Sequence, residues 1–294
     1  MYLVFDIGGT FVKYTYMTLE GNEIEAGKFK TPYESTETLI DRMYDVYQLQ
    51  PMVQGIAISC PGTIDVDTGM VYHGGALTYL HEVNLEKRLG EKTGVHVSIE
   101  NDAKCAALAE LWQGSVKGHK NSVVLVIGTG LGGGVIINGA LYRGAHLEAG
   151  EVSYVMTHVN PDTRQANFVA ETISASKMVN AIAQLKGLDE DDGIGVFKYI
   201  SNQDEEALAI FDQFCERLAT QIFNLQYILD PEVFAIGGGI SVQPVFLERL
   251  EQAMIRLKNA NPKHVASPKL VTCHFRSAAN LYGALYHHIL KYSV

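Results

Sequence analysis

Glycine is concentrated at three places in the chain, and each place directly follows a short apolar run. The densest is residues 128–134, where five of seven residues are glycine. A glycine inside a regular element destabilises it by roughly 0.5–1 kcal/mol relative to alanine, so this density indicates close approach of another group to the main chain. The three clusters and their preceding runs are Gly8–Gly9 after Tyr2–Asp6, Gly128–Gly134 after Ser122–Ile127, and Gly237–Gly239 after Val233–Ile236.

The first two clusters open a similar succession of elements. In both halves a strand, a glycine turn and a second strand precede further strands and then helices. In the second half we predict a loop over 128–134, a strand hairpin over 135–142 that turns at Asn138-Gly139, helices at about 172–186, 205–229 and 244–258, and a solvated loop at Asp189–Asp192.

This internal duplication predicts an α/β protein with two similar lobes that face each other across a cleft. We expect a small N-terminal lobe of residues 1–117 completed by 279–294, and a larger lobe of residues 118–278. The best hinge is Lys117–Asn121. The active site is expected in the cleft.

Composition excludes several classes of function. The formal net charge of −10 over 294 residues disfavours binding to nucleic acid or to a membrane surface, which needs basic patches. No apolar stretch approaches the roughly 18 residues of a membrane span. The four cysteines form no CxxC pair, which disfavours a disulfide framework or a zinc site and favours a cytoplasmic location.

The first glycine cluster carries polar groups suited to phosphate. Asp6 at a strand end could hold Mg²⁺, since this ion prefers a few carboxylates together with phosphate oxygens. Glycines allow main-chain N–H groups to approach a phosphate. The alternative is a plain hairpin turn, in which Asp and Gly are common. The nucleotide-binding residues expected here are Asp6, Ile7, Gly8, Gly9, Thr10, Phe11, Val12 and Lys13.

The other two clusters extend this interpretation. No helix follows residues 128–134, which disfavours a dinucleotide-binding Rossmann turn, and no GxxxxGK[ST] segment is present. The third cluster precedes a helix and could place an adenosine against bare main chain, or could equally be a tight strand-to-helix turn. The nucleotide-binding residues expected in these clusters are Gly128, Thr129, Gly130, Gly132, Gly237, Gly238 and Gly239.

Glu100-Asn101-Asp102 lies where a strand ends and a helix begins. Phosphoryl transfer to an alcohol needs a carboxylate that orients the hydroxyl and takes its proton. We predict Asp102 in that role. The alternative is a helix N-cap, a position that Asn and Asp both favour; Asn101 can serve as the cap and leave Asp102 for catalysis.

The chain resembles the ROK family of bacterial sugar kinases and repressors over nearly its whole length. The resemblance implies a two-lobed, actin-like ATPase fold of the hexokinase and ribonuclease H-like type, with mixed sheets and flanking helices. It also implies ATP and Mg²⁺ as cofactors, Asp102 as the base, and a homodimer as the common assembly. The segments that carry it are DIGGTFVK at 6–13, GIAISCPGTID at 55–65, ENDAKCAALAE at 100–110, GTGLGGGVIINGALYRG at 128–144, AGE at 149–151 and AIGGGI at 235–240.

The chain departs from the family pattern where relatives bind zinc. Family members usually continue AGE as AGExGH, with a zinc-binding His, and here Tyr154 takes that position. Residues 155–171 contain no cysteine, so the zinc knuckle is missing and zinc is not expected. The substrate-binding residues that the resemblance implies are Glu151, Asn101, Asp102, Gly75 and, in the knuckle region, Glu171; a surface carboxylate is the alternative for Glu151.

This zinc-less pattern resembles the β-glucoside kinases of the family. It implies transfer to O6 of the non-reducing glucose of β-glucosides such as cellobiose, with free glucose or N-acetylmannosamine as the alternative acceptor. A sugar-sensing repressor is disfavoured because Asp6 leaves no room for a preceding helix-turn-helix domain. An actin- or chaperone-like ATPase, in which ATP drives conformational work, stays open as a further alternative.

Overall fold

The computed structural model describes residues 1–263 and 265–293. The first part of the chain contains β1 (Tyr2–Ile7), β2 (Phe11–Met17), β3 (Glu23–Lys30), α1 (Thr36–Gln48), β4 (Gly55–Cys60), β5 (Thr63–Asp65), β6 (Met70–His73), β7 (Val83–Asn84), α2 (Leu85–Thr93), β8 (His96–Asn101) and α3 (Asp102–Gln113). The remainder contains β9 (Ser122–Ile127), β10 (Leu131–Ile137), β11 (Ala140–Tyr142), β12 (Met156–Val159), β13 (Ala166–Phe168), α4 (Val169–Thr172), α5 (Ala175–Lys186), α6 (Gly193–Ser201), α7 (Glu205–Leu229), β14 (Val233–Gly237), α8 (Pro244–Ala260), β15 (Leu270–Thr272) and α9 (Ala279–Tyr292).

The chain divides into two compact units. Unit 1 comprises Met1–Lys117, Leu141–Ala149 and Ser277–Val294, and unit 2 comprises Gly118–Ala140 and Gly150–Arg276. The chain therefore leaves unit 2 after the first residue of β11, passes through unit 1 over nine residues, and returns. The predicted lobes differ from these units mainly at this excursion, which the sequence prediction had assigned to the second lobe.

The sheet of unit 1 has the strand order β3-β2-β1-β4-β8. β1 pairs antiparallel with β2 and parallel with β4, so the sheet is mixed as predicted. All six residues of β1 are buried, and so are all six of β4, as expected for central strands covered on both faces. Helices α3 and α9 bury one face of this sheet through a cluster that includes Tyr2, Val4, Cys105, Ala284 and Leu285.

The second sheet repeats this arrangement in the order β11-β10-β9-β14-β15. β9 pairs antiparallel with β10 and parallel with β14, as β1 does with β2 and β4. The predicted duplication is confirmed at the level of strand order and direction. The turn at Asn138-Gly139 is also confirmed, with φ of 54° and 78° at its two central residues.

One prediction about the second glycine cluster is wrong. The sequence predicted a loop throughout 128–134, but β10 begins at Leu131, so Gly132, Gly133 and Gly134 are strand residues. They pair with Val126, Leu125 and Val124 of β9. Glycine is required at Gly133 because a Cβ there would lie 2.8 Å from the carbonyl oxygen of Gly150.

The helices of unit 2 are close to prediction with one exception. α7 spans the predicted residues, and residues 189–192 form a loop as predicted, but α6, which follows this loop directly, was missed. Asp192 is in fact the N-cap of α6 and accepts a hydrogen bond from the main-chain N–H of Gly195 at 2.8 Å. No helix in the described part of the chain is both long and apolar enough to traverse a lipid bilayer.

Candidate functional site

Asp6 lies at the end of β1 with only 8% of its surface exposed. Its Oδ1 accepts hydrogen bonds from Ser59 Oγ at 2.9 Å and from Asn280 Nδ2 at 3.0 Å. Among residues 1–263 and 265–293, both side-chain hydrogen bonds to this carboxylate fall on Oδ1, which leaves Oδ2 for water or a hydrated ion. A nearly buried carboxylate held in this way fits the oxygen-ligand chemistry of Mg²⁺.

The turn that follows Asp6 is held from one side. Thr31 Oγ1 donates to the carbonyl oxygen of Gly8 at 2.6 Å, and Tyr33 Oη donates to the carbonyl oxygen of Gly9. In a planar trans peptide the N–H points away from the C=O. The N–H groups of Gly9 and Thr10 are therefore directed away from Thr31 and Tyr33, as a site for phosphate oxygens requires.

The remaining residues of this predicted segment differ in exposure. Ile7 and Val12 are buried in the core of unit 1, at 2% and 0% exposure, so only their main chain could contact a ligand. Phe11 is 41% exposed, and the ammonium group of Lys28 lies over its ring, 4.7 Å from the ring centroid. Lys13 is exposed and lies opposite Asp6 in the β1–β2 register.

Asn101 and Asp102 take up the predicted arrangement at the start of α3. Asn101 is the N-cap, and its Oδ1 accepts from the main-chain N–H of Lys104 at 3.0 Å. Asp102 is the first helical residue and is half-buried, and its Oδ1 accepts from the N–H of Ala103 at 2.8 Å. A helix N-terminus stabilises negative charge, so a carboxylate is favoured at this position.

A second contact of Asn101 fixes the Pro61-Gly62 loop. Its Nδ2 donates to the carbonyl oxygen of Gly62 at 2.9 Å. Gly62 has φ of +104°, and a Cβ there would lie 1.7 Å from the carbonyl oxygen of His73, so no other residue fits. Gly75, at φ +57°, has its Cβ position 3.5 Å from Pro61 Cβ. Unit 1 thus brings Gly75 and Asn101 together around one loop, with Asp102 beside them.

Sequence reasoning missed two groups of unit 1 that contact this region. Asn280 binds Asp6 from the first turn of α9, and Arg143 binds the fully buried Glu100. Both Glu100 and Arg143 lie within the segments used to identify the family. For Glu100 the signal available in the sequence was a charged residue near the end of a largely apolar strand.

In unit 2 the first glycines of the second cluster form a tight turn. The N–H of Gly128 donates to the carbonyl oxygen of Gly130 at 2.9 Å, and the N–H of Ala175 donates to the carbonyl oxygen of Gly128 at 2.9 Å. Gly128 and Thr129 are exposed. Ser153 closes the turn, because its Oγ accepts from the N–H of Leu131 at 3.0 Å.

Glu151 comes directly after Gly150, whose main chain contacts that of Gly133. Gly150 has φ of +88°, and a Cβ there would lie 2.8 Å from the carbonyl oxygen of Gly133, so main chain packs directly on main chain. This contact places half-buried Glu151 next to β10. Glu171 is exposed and accepts a hydrogen bond from the N–H of Phe168 at 3.0 Å, which caps the short helix α4.

The third glycine cluster borders a cavity of about 500 Å³ within unit 2. Gly238 has φ of +96°, and a Cβ there would lie 2.0 Å from the carbonyl oxygen of Ile127. The cavity is lined by Gly128 and Gly239 from two of the clusters, together with Ile194 of α6. A nucleoside fits a cavity of this size, and two clusters that are 111 positions apart meet at its wall.

No group of three or more His, Cys, Asp or Glu side chains suited to a metal ion occurs in the part of the chain that the structure describes. Tyr154, at the position where relatives carry a zinc-binding His, is 71% exposed. Its main-chain N–H donates to the carbonyl oxygen of Glu151 at 3.2 Å. The turn after AGE is therefore formed by main-chain hydrogen bonding.

Comparison with known proteins bears on the family and the fold of this chain. The ROK family model matches residues 2–289. A β-glucoside kinase of Listeria innocua is 32% identical over 96% of this chain and 95% of its own length. A glucokinase of Halalkalibacterium halodurans is 30% identical over 82% of this chain and 80% of its own. A ROK family protein of Streptococcus pneumoniae TIGR4, crystallised with sucrose, superposes with a TM-score of 0.89 at 30% identity over 99% of both chains. These matches confirm the predicted fold class, and the chain belongs to the ROK family.

Proposed function

We propose that this protein is a sugar kinase, which transfers the γ-phosphoryl group of ATP to a sugar hydroxyl. The observation that carries the proposal is the position of Asp102 as the first residue of α3, while Asn101 supplies the cap. Because Asn101 occupies the N-cap position, Asp102 does not serve as the cap. Its carboxylate can orient an acceptor hydroxyl and accept its proton.

The glycine clusters supply the nucleotide site in this proposal. Main-chain N–H groups of Gly9 and Thr10, and those of Thr129 and Gly130, would bind phosphate oxygens. The cavity beside Gly239 would take the adenosine. Bound Mg²⁺ offsets the negative charge of the phosphates, and Asp6 is the residue expected to hold it through water.

The acceptor hydroxyl would lie near the Asn101, Asp102 and Gly75 cluster of unit 1. Glu151 would accept hydrogen bonds from the sugar ring, and Glu171 is a further candidate whose carboxylate would have to leave its bond to Phe168. Transfer is direct and in-line, without a phospho-enzyme. Orientation of the acceptor and stabilisation of phosphate charge would supply most of the rate enhancement.

We further propose O6 of the non-reducing glucose of a β-glucoside as the acceptor. The relative from Listeria innocua is named a β-glucoside kinase, and Tyr154 takes the place of the His in the AGExGH pattern. The loss of the zinc knuckle would leave room for an aglycone. The glucokinase relative supports free glucose as the alternative, with N-acetylmannosamine as another. A non-catalytic sugar-sensing role is the third candidate.

A screen of ADP release with cellobiose, gentiobiose, salicin, glucose, mannose and N-acetylmannosamine tests both levels of the proposal. We expect the highest kcat/KM with a β-glucoside and a product that carries phosphate at O6 of its non-reducing glucose. A large preference for free glucose over cellobiose would contradict the β-glucoside assignment alone. ADP release that no sugar stimulates would contradict the kinase assignment.

Two further expectations concern the cellular compartment and the oligomeric state of the protein. All four cysteines are free thiols and buried, which favours a reducing compartment such as the cytoplasm. Family membership favours a homodimer. Light scattering of the purified protein tests the oligomeric state.

A further inference from the structure

Glu100 is a fully buried carboxylate, at 0% exposure, two positions before Asp102. Its Oε2 lies 2.8 Å from Nε and 2.6 Å from Nη2 of Arg143, which is a two-pronged ion pair. Its Oε1 accepts the main-chain N–H of Asn101 at 2.8 Å. Both carboxylate oxygens of Glu100 are therefore engaged, one of them by the residue that caps the helix of Asp102.

Stability alone is a poor explanation for this pair. Glu100 is fully removed from water and Arg143 largely so, with 24% of its side chain exposed. Desolvating a buried charge costs several kcal/mol, and well-packed apolar residues of similar volume are often as stabilising as such an ion pair. Burial raises the pKa of Glu100, while the guanidinium of Arg143 acts in the opposite direction. Two guanidinium N–H groups on Oε2, together with the Asn101 N–H on Oε1, do, however, hold the Glu100 carboxylate in one orientation.

Arg143 also fixes a second segment. It lies in the excursion Leu141–Ala149, where the chain has left unit 2 to pack in unit 1. Its carbonyl oxygen accepts the N–H of Ala149 at 3.1 Å, which closes the loop directly before Gly150 and Glu151. The side chain of Arg143 thus holds Glu100, and its main chain holds the loop that leads to Glu151.

We propose that Glu100 and Arg143 are positioning residues for phosphoryl transfer. Arg143 holds Glu100, Glu100 holds the Asn101 main chain, and Asn101 sets the start of the helix that carries Asp102. This inference rests on the proposed kinase function. The ion pair acts on the rate of transfer through Asp102 and leaves ATP binding largely unaffected.

The test compares Arg143→Lys with Arg249→Lys, a matched change at the Arg249–Asp212 pair of unit 2. Lysine keeps the charge but loses the two-pronged geometry. We expect Arg143→Lys to lower kcat by at least about 10-fold, because small misplacements of reacting groups can cost up to about 10²-fold. KM for ATP and the melting temperature should change no more than they do in Arg249→Lys.

A second variant separates positioning from stability. Glu100→Gln combined with Arg143→Met removes both charges and keeps an oxygen that can accept the Asn101 N–H. We expect this double variant to fold with a melting temperature above that of Arg143→Met alone, while kcat stays low. Recovery of kcat together with the melting temperature would overturn the positioning role, as would an Arg143→Lys enzyme with kcat within about twofold of wild type.

Measuring the wild-type enzyme beside the variants separates this test from the test of the proposed function. Absence of sugar-dependent ADP formation in the wild type contradicts the kinase assignment. An active wild type with an equally active Arg143→Lys variant contradicts only the role of the ion pair.

Discussion

The side-chain amide of Asn280 donates a hydrogen bond to the carboxylate of Asp6 at 3.0 Å, although the two residues are 274 positions apart. Asn280 lies in the first turn of the C-terminal helix, and Asp6 is the last residue but one of the first strand. Together with Ser59 it confines the hydrogen bonds of Asp6 to Oδ1. The orientation of the carboxylate proposed to hold Mg²⁺ thus depends on the last helix of the chain.

Asn280→Ala is expected to raise the Mg²⁺ concentration needed for half-maximal activity by several-fold. Loss of a residue that orients a metal ligand typically costs about 10–100-fold in metal affinity, and a weakly bound, water-mediated ion should respond at the low end. Titration of activity with Mg²⁺ at saturating ATP measures the effect. Asn261→Ala, at an exposed helix end in unit 2, is the control. An unchanged Mg²⁺ dependence in Asn280→Ala would contradict this role.

Gly238→Ala is expected to destabilise the protein by at least about 2 kcal/mol, because a non-glycine residue in such a backbone conformation is strained by roughly 1–3 kcal/mol. A Cβ at Gly238 would also lie 2.0 Å from the carbonyl oxygen of Ile127, whereas a Cβ at Gly239 meets nothing within 4 Å. Gly239→Ala is therefore the matched control and should be nearly neutral. Urea unfolding of both variants measures the difference, and equal stabilities would contradict the backbone geometry assigned to this cluster.

Two buried histidines of α9 predict a loss of stability in acid. Burial lowers the pKa of His287 to about 3 and that of His288 to about 4, with Arg143 and Lys291 among the neighbouring cations. Both groups have depressed pKa values when folded, so below the unfolded pKa of about 6.5 the unfolded chain binds more protons. Stability should therefore fall as pH decreases from about 6.5 towards 4.

Each histidine contributes a slope of up to about 1.4 kcal/mol per pH unit in that window. Urea unfolding at pH 7.5, 6 and 5 measures the slope. His287→Gln should flatten the pH dependence, whereas His158→Gln, at an exposed strand position, should not. Parallel pH profiles for wild type and His287→Gln would contradict the account of these histidines.

Local features of the fold were predictable from sequence. Asn101 caps the helix predicted to follow it, because an N-cap depends only on residues within one turn. The turn at Asn138-Gly139 follows from the tolerance of both residues for positive φ. The loop at residues 189–192 was also predicted, but the helix that its last residue, Asp192, caps was missed.

Long-range contacts within the candidate site were not predictable in this way. The bonds from Asn280 to Asp6 and from Arg143 to Glu100 join residues that no local pattern relates. The contact between Gly133 and Gly150 likewise explains a strand glycine that sequence reasoning assigned to a loop. The sequence therefore identified most candidate residues, while the contacts that orient them required the fold.

The most direct test of the kinase proposal is the turnover of Asp102→Asn beside wild type with ATP and cellobiose. Because Asn cannot accept the proton, we predict that kcat falls by at least about 10²-fold while the affinity for ATP stays near the wild-type value. Asp67→Asn, a change on an exposed turn of unit 1, should leave kcat unchanged. Sugar-dependent ADP formation by Asp102→Asn at a near-normal rate would contradict the account.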